Sequence, residues 1–191
     1  MKAWHFTKGK KLRDGQQLVV GKTYRHKGKL ELCVAGLHAS ILPLDALKYS
    51  PGSFVSHVEC GGEIIQSDDK LVCSERTVIW AYDADGVLRY FARLCALDVI
   101  DKWDAPDIVV RYLKTGDESI RAAAWSAAES AAESAVGYAA RSAAGYAAWF
   151  AAESAAGSAA GSAAGAAAWS AARSTQNRRL HRMLVEGRPK P

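Results

Sequence analysis

Three side chains of this 191-residue chain are of types that could do chemistry together: His5, Tyr49 and Glu63. The chemistry open to them is group transfer, with the histidine and glutamate on strands and the tyrosine between them. His5 falls in the first apolar segment, Tyr49 at the end of a short helix, and Glu63, like Glu59, beside Gly61-Gly62. The spacings are not diagnostic, and each residue also has a plain structural reading. Cys33 and His38 would need two distant ligands to hold a metal, and a histidine following Gly36-Leu37 is more simply a hydrogen-bonded turn residue. The sequence has no P-loop, no dinucleotide-binding glycine fingerprint, no G-x-S-x-G and no H-E-x-x-H. No cofactor or metal is expected, and the reading favours a non-enzymatic protein.

The elements that would position these residues read as an α+β domain over 1–116, a small and mostly antiparallel sheet with short helices. Strands are expected over Met1–Thr7, Gln17–Val20, Lys29–Ala35, Ser53–Glu59 and Lys70–Trp80, where apolar and β-branched residues alternate between Gly- and Asp-rich gaps. Pro43 predicts the first turn of a helix over Leu42–Tyr49. Asp85 is expected to cap a helix over Val87–Lys102, where Leu88, Phe91, Leu94 and Cys95 recur at helical spacing. Asp104 and Pro106 predict the start of a third, over Asp107–Leu113, with Gly116 past its end. The four cysteines form no C-x-x-C pair, and the N-terminus has no apolar leader, so reduced and mostly buried thiols in a cytoplasmic protein are expected.

From Ser126 to Arg173 the unit Ser-Ala-Ala-X runs in unbroken register, with Asp117 placed to cap the helix that enters it. Alanine is the best helix former, so 117–185 is expected to be helical, followed by a flexible basic tail over 186–191. A straight rod of that length would reach about 100 Å. The glycines Gly157, Gly161 and Gly165 weaken the helix and favour a bend into a hairpin, where they would serve as close helix-packing positions. A four-residue period drifts about 40° per unit around a helix of 3.6 residues per turn, so small-residue faces recur on every side. Tyr138, Tyr146, Trp149 and Phe150 nevertheless fall on one side, a knob-bearing patch for protein binding. The uncharged stretch 154–172 contains no Leu, Ile or Val, so no membrane span is expected.

The run from Leu32 to Gly52, with Asp69-Lys-Leu-Val72 and Arg76-Thr-Val-Ile-Trp80, resembles a family of phage, prophage and bacterial proteins in which a small N-terminal domain of unknown function precedes Ala-rich repeats. The resemblance implies little about activity. The His5–Tyr49–Glu63 order separately resembles ADP-ribosyltransferase-like NAD folds, which makes such an enzyme the alternative. Charge supplies another. Residues 1–30 carry nine cations against Asp14, a net +8, and the whole chain is +5, which leaves −3 for the remainder. Lys8, Lys10, Lys11 and Arg13, with Arg178, Arg179 and Arg182 of the tail, are the candidate nucleic-acid contacts. The favoured function is protein–protein binding by a phage or mobile-element accessory protein in the host cytoplasm, with counter-defence as the suggested role. Its expected partners are a host or phage protein and further copies of itself, ahead of nucleic acid.

Overall fold

The computed structural model describes residues 1–102, 105–131 and 166–188. Contacts divide it into two units, 1–85 with 184–191, and 86–183.

The first unit is built on five antiparallel strands: β1 (Lys2–Thr7), β2 (Thr23–Arg25), β3 (Leu37–Ala39), β4 (Phe54–Gln66) and β5 (Leu71–Asp83). The β4–β5 hairpin is its spine. β1 pairs with the outer side of β4, while β2 and β3 share the outer side of β5. Ser40, immediately after β3, exchanges backbone hydrogen bonds of 2.7 and 3.0 Å with Trp4 of β1. The sheet therefore curls until the edge of β1 meets the end of β3, which satisfies an otherwise open edge.

One face of the curled sheet buries Ala3, Phe54, Val58, Cys60 and Val78, in a core cluster that also takes in Leu71, Cys73, Tyr24 and Ala39, with Leu12 and Leu18 of the β1–β2 connection. The opposite face carries a ring stack. His57 lies 4.9 Å from Trp4 and 5.3 Å from Trp80, and Trp80 is 5.9 Å from Tyr82. The Tyr82 hydroxyl donates at 2.8 Å to the carbonyl of Leu184, a fully buried residue of the same unit.

The sheet departs from the sequence reading in its short strands. Gln17–Val20 and Lys29–Ala35 form only isolated bridges, Lys11↔Gln17 and Glu31↔Ala35. The strands on the outer side of β5 are β2 and β3, three residues each, too short to show alternation. β4 runs on past Glu59 because a register shift between Gly61 and Ile64 absorbs the glycines instead of ending the strand. Gly36 faces its neighbours closely: with φ +116°, a Cβ there would stand 2.3 Å from Val72 Cγ2 and 2.8 Å from Leu30 Cδ2.

Helix α1 (Pro43–Lys48) starts on its proline as expected, with Leu42 rather than a polar side chain at its N-cap. In the second unit, α2 (Asp85–Leu97) stops earlier than Lys102, which instead belongs to a separate 3-10 turn, Ile100–Lys102. Asp83 accepts the N–H of Asp85 at 3.1 Å. Helix α3 (Asp107–Thr115) ends on Gly116 at φ +69°, whose N–H returns to the Tyr112 carbonyl. Asp117 caps a 3-10 turn, accepting from Ser119 N at 2.9 Å, and that turn leads into α4 (Arg121–Ala131). Ala124 and Ala128 of α4 are fully buried in a core with Val109, Tyr112 and Leu113 of α3. Helix α5 (Ala166–Glu186) closes the described chain. The tetrad tract is thus helical at both of its described ends. The residues singled out within it, Tyr138, Tyr146, Trp149, Phe150, Gly157, Gly161 and Gly165, and the choice between hairpin and rod, lie outside the described residues, as does Asp104.

Candidate functional site

The three residues of the NAD reading occupy different surroundings. His5 sits on β1 opposite Ser56, whose hydroxyl donates at 3.0 Å to the His5 carbonyl. By area the residue is half-buried, yet its ring nitrogen Nδ1 is sealed from solvent and has no hydrogen-bond partner among the described residues. Tyr49 is exposed and follows α1. Glu63 is exposed in the irregular part of β4, where its N–H binds Ser74 Oγ at 2.9 Å. No hydrogen bond or ion pair among the described residues links the three.

Around His5 the interior is cationic. Arg76 of β5 is 4% exposed and donates from Nη1 to the His38 carbonyl at 2.6 Å, while its Nε lacks a partner. It alternates inward with Val78, which is how a strand buries a guanidinium. Burial, followed by the Arg76 and His38 charges, holds the His5 imidazole well below its ordinary pKa. Cys60 and Cys73 lie in the same core, and the Cys60 thiol donates to Cys73; that contact, ahead of burial, pushes Cys60 up and draws Cys73 down, with Arg76 acting in the same sense on Cys73.

The His38 Nε2 accepts the Cys33 N–H at 2.9 Å, so that nitrogen is already engaged by the Cys33 backbone. No cluster of three metal-ligating side chains occurs among the described residues. Cys33 is exposed, whereas Cys60, Cys73 and Cys95 are buried as free thiols.

Tyr49 belongs to a polar cluster that the sequence reading missed. Its hydroxyl donates to Asp69 at 2.6 Å and accepts from Lys70 Nζ at 3.1 Å, and that ammonium stands 4.6 Å above the tyrosine ring. Lys48 reaches Asp69 at 3.9 Å and Asp45 at 3.7 Å. The signal was the Asp68-Asp69-Lys70 turn, whose role becomes visible only once β4 is seen to extend to Gln66 and bring that turn beside α1.

The cations divide into two kinds. Arg25 pairs with Glu75, and Arg179 holds Asp98 through two nitrogens, at 2.6 and 3.2 Å, so Arg179 serves the fold of its own unit. Arg178 donates to Thr175, and Arg182 is exposed. Lys8, Lys10, Lys11 and Arg13, all exposed on the β1–β2 connection, make no ion pair among the described residues. Lys2, Lys27 and Lys29 are exposed in the same way. An unneutralised charged surface of this kind projects potential well beyond contact distance.

Residues 1–90 match a family model described as a domain of unknown function, DUF7666. No curated protein matches the chain, and no solved structure does. No helix among the described residues is long and apolar enough to cross a membrane.

Proposed function

We propose that this chain is a non-enzymatic accessory protein, of phage or mobile-element origin, that acts in the host cytoplasm by binding an acidic surface on a host or phage protein. The N-terminal sheet unit is the recognition element. The Ala-rich tract is the scaffold or self-association surface, and disabling a host defence is the role that suits such a binder. The phage origin rests on the resemblance of the 32–52 and 69–80 runs; the mode of action rests on charge. The observation that carries it is the row of exposed cations on the β1–β2 connection, Lys8, Lys10, Lys11 and Arg13, without acidic partners among the described residues. Complementary charge steers association and suppresses wrong partners more than it adds raw affinity. The lack of any hydrogen bond or ion pair joining His5, Tyr49 and Glu63 among the described residues favours binding over NAD chemistry.

The test is affinity capture from the natural host after nuclease treatment, comparing the wild-type chain with one in which Lys8, Lys10, Lys11 and Arg13 are all replaced by Glu. A discrete protein retained by the wild type and lost by the variant supports the proposal. Equal retention by both chains, or loss of every captured protein once nucleic acid is digested, overturns it.

A further inference from the structure

The inner side of β5 is closed by β4, but its outer side is closed only in part. β3 pairs with Leu71 to Cys73, and β2 with Glu75 to Thr77. The last rung is Val78, whose carbonyl accepts the Gly21 N–H at 2.7 Å and whose N–H donates to the Lys22 carbonyl at 3.1 Å. From Ile79 to Asp83 no strand pairs with that side among the described residues. An open run of backbone N–H and C=O groups is a template for a further strand, and natural edges are blunted with lysine, proline or a bulge. Ile79-Trp-Ala-Tyr-Asp83 has neither lysine nor proline. Its one irregularity is Ile79 itself, the extra residue of β5 between the rungs to Val58 and His57. Ile79 is exposed, and from Trp80 to Asp83 the pairing with β4 is again regular. Beside the start of this run the chain comes up to Gly21 through Val19 and Val20, both exposed. The Lys10 carbonyl accepts the Leu18 N–H at 2.9 Å and Lys11 bridges Gln17, so Lys10, Lys11 and Arg13 belong to the small hairpin that leads into Val19. At the far end of the run stands the exposed Asp83.

We propose that an extended acidic segment of the partner adds as a strand to the outer side of β5 over 79–83, with apolar side chains against Ile79, Val19 and Val20 and carboxylates toward Lys10, Lys11 and Arg13. The inference rests on the reading of the β1–β2 connection as a binding element, and it adds the form in which the partner binds. In strand addition the main-chain hydrogen bonds give affinity and alternate side chains give specificity. Cations at one end of the run and Asp83 at the other set the direction in which charge must fall along the incoming strand. A second copy of this chain would bring a single carboxylate on that strand, Asp83, so a more acidic segment is the better match for the hairpin.

The test uses the full chain and two synthetic peptides of equal length and charge, Val-Glu-Val-Glu-Val-Glu-Val and Glu-Val-Glu-Pro-Pro-Glu-Val. The paired prolines remove ladder N–H groups in either register. Affinity and backbone hydrogen exchange are read together. The alternating peptide is expected to slow exchange over 79–83, and the proline peptide to bind at least about tenfold more weakly, the loss of one ladder hydrogen bond. The chain with Lys8, Lys10, Lys11 and Arg13 replaced by Glu is expected to bind neither. Equal affinity for the two peptides, lost on charge reversal, overturns strand addition and leaves the charge-based reading standing. Affinity that survives charge reversal overturns both, and binding of neither peptide by the wild type overturns strand addition. Slowed exchange over 79–83 in the chain without peptide, growing with its concentration, gives the edge to a second copy and overturns the acidic occupant.

Discussion

His5 is the residue whose surroundings make the sharpest demand. Its imidazole is kept neutral in the folded chain by burial first and by Arg76 and His38 second. An unfolded histidine binds a proton near pH 6.5. Below that pH the unfolded chain takes up a proton that the folded chain refuses, so stability is whole above about pH 6.5 and drains as pH falls, by up to about 1.4 kcal/mol per unit for one proton. His38, also lowered by burial, adds in the same direction. Urea midpoints between pH 7 and 5 should therefore decline, and His5→Gln should flatten the decline. An equal slope in both chains would remove His5 as its source. The sequence marked His5 as chemically capable but not what surrounds it. Arg76 was visible only as the first residue of a β-branched run; its inward position follows from the register with β4, which no local pattern contains. Cys33 and His38 came up in the sequence only as an improbable metal pair, and their link is a backbone N–H on a ring nitrogen.

Elements were legible in proportion to their length. The hairpin strands β4 and β5, the proline start of α1 and the glycine end of α3 follow from alternation, a fixed φ and a left-handed cap. The three-residue β2 and β3 do not, because pairing with β5 creates them. Gly36 marks one such place, where β3 leaves its turn against Val72. Gly36→Ala adds both strain and a clash with side chains and should cost about 3 kcal/mol in urea unfolding. The Ala-rich tract offers a matched pair. Ala128 is fully buried in the α3–α4 core, while Ala123 of the same helix is exposed. Ala128→Leu should cost about 1–3 kcal/mol by overpacking, and Ala123→Leu should be close to neutral. Equal effects would mean that small size is not what the α4 contact requires.

At the scale of the whole chain, the sheet unit is not confined to the N-terminal half. Leu184 is fully buried in it and receives the Tyr82 hydroxyl. Leu184→Ala should therefore lower the stability of the sheet unit by about 3 kcal/mol, read by the fluorescence of Trp4 and Trp80 on urea unfolding. Nothing in the sequence tied residue 184 to residue 82, because a contact across that separation leaves no local pattern. The charge imbalance, by contrast, was plain from composition, and the proposed function leans on it. That claim is tested most directly by the affinity of the wild-type chain for its captured partner across rising salt. Screening shortens the reach of exposed charges from about 30 Å at 0.01 M to about 8 Å at 0.15 M. The account predicts affinity that falls steeply over that range for the wild type and barely changes for the Lys8, Lys10, Lys11, Arg13→Glu chain. Affinity independent of salt, and equal in the two chains, would contradict it.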